Sequence, residues 1–175
     1  MADSAKPKNK YLVTWDQFHR DTRTLGKKLI SLRQDWKGIV AVTTGGLIPS
    51  GILAWEFEIK LIDVIGVSSY AGFDDPNQKH VRILKNYDVD MVKDGDGWLV
   101  IDDLVDSGNT IRAVREKLPK AYYGSVYAKP NGEPLIDTFA VAVPQDHWVY
   151  FPWYLDTQPT DPQPTDPIVY AYKKR

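Results

Sequence analysis

Apolar positions along the chain switch between a helical period and short unbroken runs, and the switches mark its elements. Phe18, Leu25 and Leu29 recur at i, i+7 and i+11, which sets them on one face of a helix. Thr14, with Gln17 three residues on, forms a capping-box pattern at its start. Gly38-Ile39-Val40-Ala41-Val42 is instead continuous, and it ends at Thr43-Thr44-Gly45-Gly46. Such a run reads as a strand buried on both faces that enters a tight loop. Pro49 suits the first turn of a following helix, with Ile52, Leu53 and Phe57 as its buried side.

The alternation repeats downstream. Leu61 to Val67 is a second apolar run, Ala71 to His80 a polar loop, and Val81 to Leu84 a short strand beyond it. Asp94-Gly95-Asp96-Gly97 is a turn, and Trp98-Leu99-Val100-Ile101 is a third buried strand closing on Asp102 and Asp103. Ile111, Val114 and Leu118 carry a helix over 109–118, and Tyr123 to Ala128 and Phe139 to Val143 supply two more strands. Buried strands alternating with amphipathic helices predict an α/β fold, a mainly parallel sheet flanked by helices. Ligands of such sheets sit at the carboxyl ends of the strands. The loops after Val42 and after Ile101 both fall at that edge.

Length and charge narrow the picture. A chain of 175 residues, 43% hydrophobic, supports one substantial core and is too short for two. We expect residues 1–10 to be a polar tail, 11–155 the folded domain and 156–175 a Pro-rich tail. In that last stretch the pentapeptide Gln158-Pro159-Thr160-Asp161-Pro162 repeats at once as Gln163-Pro164-Thr165-Asp166-Pro167, a composition suited to an extended segment. With 22 basic and 23 acidic residues the net charge is −1, so no basic face argues for nucleic acid. The absence of cysteine excludes disulfides, zinc-thiolate sites and a thiol nucleophile, and it fits a cytoplasmic location. No apolar run is long enough to span a membrane; peripheral contact with one stays open on sequence grounds.

The segment Val100 to Thr110 carries the chemistry. A strand delivers two adjacent carboxylates to the sheet edge, and Asp106-Ser107-Gly108-Asn109-Thr110 then opens a helix. Adjacent carboxylates repel, so they need cations or hydroxyls to bind. The small-residue loop offers N–H groups and hydroxyls at a helix N-terminus, which suits a phosphate. A ribose 5-phosphate has both needs side by side. Other nucleotide motifs fail. Gly46 and Gly51 have P-loop spacing, but Ile52 and Leu53 stand where Lys and Ser or Thr are required. No GxGxxG follows a strand, Asp88 to Asp96 lack calcium-loop spacing, and His19, His80 and His147 are scattered.

Val100 to Thr110 resembles the phosphoribosyl pyrophosphate signature of the type I phosphoribosyltransferases. The resemblance extends, in order, through Tyr11 to Asp16, Trp36 to Val42, Gly45 to Pro49, Ser68-Ser69-Tyr70, Ala128-Lys129-Pro130 and Pro144 to Trp148. It points to the branch of the family that acts on 6-oxopurines, and it implies a small hood and a flexible flap added to the sheet. It further implies that Asp102 and Asp103 bind the ribose hydroxyls with a magnesium ion nearby. Asp106 would approach purine N7 and manage its proton, and Ser107, Gly108, Asn109 and Thr110 would hold the 5-phosphate. Thr44, Gly45 and Gly46 would line the pyrophosphate pocket. Lys129 would donate to the 6-oxo group, Trp148 would stack on the base, and the Val149 backbone would contact its 2-position. Ser69 and Tyr70 would begin the flap, through about Val81.

The implied reaction is purine salvage. A phosphoribosyl group passes from its pyrophosphate, the co-substrate, to N9 of guanine, xanthine or hypoxanthine, giving the nucleoside monophosphate and pyrophosphate. Adenine would present a donor to Lys129 and leave a buried charge unpaired, at a cost on the order of 2 to 5 kcal/mol. A sensor of the same ligands without catalysis is the alternative. It is disfavoured by the net charge and by the absence of spare length for a DNA-binding module. The resemblance also suggests a homo-oligomer, dimer or tetramer, with Phe151, Trp153 and Tyr154 as exposed aromatics that could serve an interface. It does not rank the three bases.

The Thr43-Thr44-Gly45-Gly46 loop is the main departure from the family pattern, and Phe73-Asp74-Asp75-Pro76 lengthens the flap. Arg usually precedes the Gly-Gly of the pyrophosphate loop, and here Thr44 holds that place. One cationic contact is lost, although backbone N–H groups remain. Thr44→Arg should therefore tighten phosphoribosyl pyrophosphate binding in a direct titration; unchanged affinity would show that the position carries no such deficit.

Overall fold

The computed structural model describes residues 9–71 and 79–153. The tail through residue 8, the flap tip at 72–78 and the stretch from 154, with Tyr154 and the repeat, lie outside the described residues.

In chain order the elements are β1 (Asn9–Leu12), α1 (Trp15–Leu32), β2 (Gly38–Thr43), α2 (Leu47–Glu56), β3 (Ile62–Ala71), β4 (Lys79–Lys85), α3 (Val89–Val92), β5 (Trp98–Val105), α4 (Asn109–Lys117), β6 (Tyr122–Ala128), a 3-10 turn at Glu133–Leu135, β7 (Thr138–Ala142) and β8 (His147–Tyr150). The main sheet has the order β4-β3-β2-β5-β6-β7. All its pairs are parallel except β3 with β4, which form an antiparallel pair at one edge. The α/β reading of the sequence therefore holds. From β2 the chain crosses to β3 on one side, and from β5 it crosses to β6 on the other. The loops after β2 and β5 thus diverge and open a crevice between these two strands.

Local chemistry explains where α1 begins. Thr14 Oγ1 accepts from the Gln17 N–H at 3.2 Å. The reciprocal half of the capping box is not made, because the Gln17 side chain donates to Asp21 one turn on, at 3.3 Å. Phe18, Leu25 and Leu29 are all fully buried, as their spacing requires. They join Ile39, Leu99 and Ile101 of the sheet and Leu53 of α2 in a core on one face. Val40, Val42 and Val100 face the other way and pack with Ile111, Val114 and Leu118 of the α4 segment. Each central strand is covered on both sides, hence the unbroken apolar runs.

Two strands were not legible in the pattern. β1 and β8 have four residues each and pair in parallel, Asn9 opposite His147 through Leu12 opposite Tyr150. They form a separate two-stranded sheet, and β1 takes in Asn9 and Lys10 from the stretch read as polar tail. The aromatics after β8 also correct an expectation. Phe151 is only 2% exposed, stacks on Trp153 with ring centroids 4.5 Å apart and meets Phe18 edge-on at 5.9 Å. Trp153 packs against Phe18 at 4.7 Å. These rings close the core beneath the small sheet and are not free interface aromatics. No helix among the described residues is long and apolar enough to cross a membrane.

Because Phe18 touches the rings of Tyr127, Phe151 and Trp153, Phe18→Ala should cost about 3 to 5 kcal/mol of stability. Urea unfolding measures it; a cost under about 1 kcal/mol would mean the cluster is not a packed core.

Candidate active site

The site begins where β5 outlasts its neighbour. β5 pairs with β2 only as far as Ala41 opposite Ile101, but with β6 it runs on to Val105 opposite Ala128. Asp102 and Asp103 are the first residues past the end of the β2 pairing, so they border the crevice. Asp102 is 8% exposed and accepts from the Asp103 N–H at 2.9 Å, while Asp103 accepts from the Leu104 N–H at 2.8 Å. Burial pushes the Asp102 carboxyl well above the usual carboxylate range, and the charge of Asp103 pushes it the same way. Asp103 is raised too, chiefly by burial, against the opposing hydrogen bonds from Asp102 and the Leu104 N–H. The loop after β2 closes tightly over this pair. A Cβ at Gly45 would run into the Asp103 carboxylate, and one at Gly46 into the Ile101 carbonyl. The two glycines permit an approach that no side chain would allow.

Beyond Val105 the chain turns through the expected phosphate loop. Gly108 has φ 77°, the left-handed region, and its absent Cβ leaves room for Leu135. α4 starts there without a side-chain cap. By contrast α1 and α3 start with the Thr14 and Asp88 side chains accepting first-turn N–H groups. First-turn N–H groups lack intrahelical partners, so at α4 they face a hollow of about 220 Å³, lined by Asp102 and residues 104–111. Ser107, Gly108, Asn109 and Thr110, the four residues expected at a phosphate, all line it.

A second hollow of about 560 Å³ adjoins it, and Asp102 and Thr110 border both. Thr43, Thr44, Gly45, Leu47, Asp103 and Trp153 also line it. The Thr43–Thr44 peptide is cis. Among the described residues no Lys or Arg lines this hollow, in keeping with the loss of the cation at position 44. Sequence reasoning did not place Trp153 here; the fold of β8 against the core decides it. Nor does any group of three or more His, Cys, Asp or Glu side chains among the described residues form a cation cage. Two adjacent carboxylates nonetheless fit a magnesium ion of the kind that takes its other ligands from water and substrate phosphate.

Lys129 follows the end of β6, and its N–H donates to the Val105 carbonyl at 2.9 Å, which brings it opposite Asp106. It is only 3% exposed, and its Nζ lies 3.0 Å from Asp106 Oδ2. The other oxygen of Asp106 accepts from Gln145 Nε2 at 2.6 Å. The structure thus unites two expected site residues and adds Gln145, which sequence reasoning did not single out. Trp148 is 48% exposed on β8, while Val149 is buried in the core beside it; neither lines the two hollows. Ser69 and Tyr70 lie on β3, paired with Val81 and His80.

The family profile of the phosphoribosyl transferase domain matches residues 10–159. A protein of Ruegeria sp. (strain TM1040) named xanthine-guanine phosphoribosyltransferase is 44% identical over 155 residues, covering 86% of this chain and 88% of its own. A protein of the same name from Desulfotalea psychrophila is 46% identical over 151 residues, covering 86% and 90%. Among solved structures, a purine phosphoribosyltransferase from Pyrococcus horikoshii superposes with a TM-score of 0.72 at 24% identity, covering 88% of this chain and 99% of that one. The xanthine-guanine-hypoxanthine phosphoribosyltransferase of Helicobacter pylori gives 0.67 at 22%, covering 85% and 96%. At these identities the two structures speak for the fold alone.

Gly108→Ala should strain the left-handed turn by about 1 to 2 kcal/mol and push Leu135 aside. Inorganic phosphate and nucleotide should then bind more weakly, with unfolding only modestly easier. Unaltered affinity in calorimetry would separate this turn from ligand binding.

Proposed function

The chain belongs to the phosphoribosyltransferase family, and on that premise we propose how its crevice performs purine salvage. The enzyme transfers the 5-phosphoribosyl group to N9 of a 6-oxopurine: guanine, xanthine or hypoxanthine. Pyrophosphate leaves from C1 of the sugar, and the nucleoside monophosphate is formed. One observation carries this reading above the others. The buried Asp102 borders both the hollow at the uncapped start of α4 and the larger hollow beside it, and Asp103 borders the larger one.

The 5-phosphate sits on residues 107–110, drawn by the first-turn N–H groups of α4. Asp102 and Asp103 accept from the ribose hydroxyls and place negative potential near the cationic centre that develops at C1. They would also hold a magnesium ion, which supplies charge neutralisation to the departing pyrophosphate. That group rests in the second hollow, against the N–H groups of Thr44 and Gly45; those of Gly46 and Leu47 already donate to Val42 and Thr44 carbonyls.

Lys129 and Asp106 set the choice of base. Side by side at 3.0 Å they present a donor next to an acceptor. A 6-oxopurine offers the complement on one edge: an acceptor at O6 beside the N7 position, whose proton Asp106 receives as the bond to N9 forms. Trp148, half of it open, stacks on the ring, and the Val149 backbone meets the 2-position. Ser69 and Tyr70 begin the flap that excludes water during transfer. Trp55 at 86% and Leu84 at 65% exposure are apolar surface suited to a homo-oligomeric contact. We place the enzyme in the cytoplasm. The relatives above are named as enzymes, which favours turnover over a sensing role.

Pyrophosphate release measured with each purine, with and without magnesium, tests the reading. Turnover should require magnesium and a 6-oxo base. Asp106→Ala should lower kcat by about a hundredfold or more and leave nucleotide affinity within about tenfold; a fully active variant would remove Asp106 from the mechanism.

A further inference from the structure

The Pro144–Trp148 stretch contains a side chain that the mechanism above does not use. Gln145 Nε2 donates to Asp106 Oδ1 at 2.6 Å, and Gln145 Oε1 accepts from the Asn131 N–H at 3.0 Å. The second bond fixes the first. With its oxygen committed to a backbone donor, the amide must turn its NH₂ toward the carboxylate; the flipped amide would set oxygen against oxygen. The backbone around Gln145 is anchored as well. Val143 is buried and donates to the Ala128 carbonyl at 2.8 Å, and His147 donates back to the Pro144 carbonyl. Next along the chain, Asp146 is held by Asn9 of β1 and by His147. Gln145 is therefore a fixed donor, whereas Asp106 is half exposed at the mouth of a turn.

The two partners of Asp106 differ in what they do when a base arrives. A base whose 6-oxo oxygen accepts from Lys129 competes with Asp106 for that donor, so the Lys129 bond to Asp106 weakens. Gln145 touches Asp106 from the other oxygen and has no reason to leave. We propose that Gln145 is a positioning residue, holding the Asp106 carboxylate toward purine N7 once Lys129 has moved to the base. Its loop runs directly into Trp148, so base stacking and the orientation of the proton acceptor share one support. This inference rests on the assigned role of Asp106.

Two variants separate this role from simple loop anchoring. Gln145→Glu keeps an acceptor for the Asn131 N–H but loses the donor to Asp106; Gln145→Leu loses both. Each should lower kcat by about tenfold or more, with the KM for phosphoribosyl pyrophosphate within about twofold and the thermal unfolding midpoint of Gln145→Glu little changed. In an Asp106→Asn background the same substitutions should cost under about twofold, since the carboxylate they would orient is already gone. A Gln145→Glu enzyme with near-normal kcat would overturn the proposal, as would equal losses in both backgrounds. If Asp106→Asn is itself fully active, the role of Asp106 falls and this inference with it. If Asp106→Asn is impaired and the Gln145 variants are not, only the inference falls.

Discussion

The parallel pairing of β5 with β6 past the point where its pairing with β2 has ended is the constraint on which the site depends. Were β2 to continue beside β5, Asp102 and Asp103 would lie inside a closed sheet. Because β2 turns away after Thr43 toward α2, and β5 continues toward α4, the acid pair borders an opening at the switch in strand direction. The same register brings Lys129 opposite Asp106, since Val105 and Ala128 are the last paired residues of their strands. One hydrogen-bonding pattern thus positions the acid pair, the turn after Val105 and the Lys129–Asp106 ion pair.

The charge arrangement of the crevice is incomplete without ligands. Two raised carboxyls share a hollow in which no described side chain is cationic. Positive potential comes instead from oriented N–H groups at a helix start that lacks a side-chain cap. Helices away from the crevice are closed by Thr14 and Asp88, which accept the groups that α4 leaves available. On the proposed reading, the uncapped start of α4 is kept for an anion. Buried carboxyls of this kind are costly in isolation and become favourable beside hydroxyls and a cation.

Much of this was legible in the sequence because it is local. A buried strand, an acid pair, a glycine turn and an amphipathic helix follow one another within twenty residues, and each has its own periodicity or residue type. Phe18, Leu25 and Leu29 declared their face by spacing alone. The features that were missed depend on residues far apart in the chain. β1 and β8 are too short for a period to register, and they pair across some 140 residues. Gln145 looks like any polar loop residue until the fold sets it beside Asp106, 39 positions earlier. Phe151 follows a strand that could not be seen, so its burial could not be inferred either. Family resemblance named Lys129 as a base contact, but only the coordinates show that it is already paired with Asp106.

On the proposed reading, the base-facing groups and the sugar-phosphate groups come from different stretches of chain. Lys129 follows β6 and Gln145 sits between β7 and β8, whereas the phosphate turn belongs to the β5–α4 junction. Apart from Asp106, which serves both, the two halves meet without sharing side chains. On that division, natural divergence or laboratory redesign would change which heterocycle is accepted by editing the later third of the chain, and would leave the grip on activated ribose as it was.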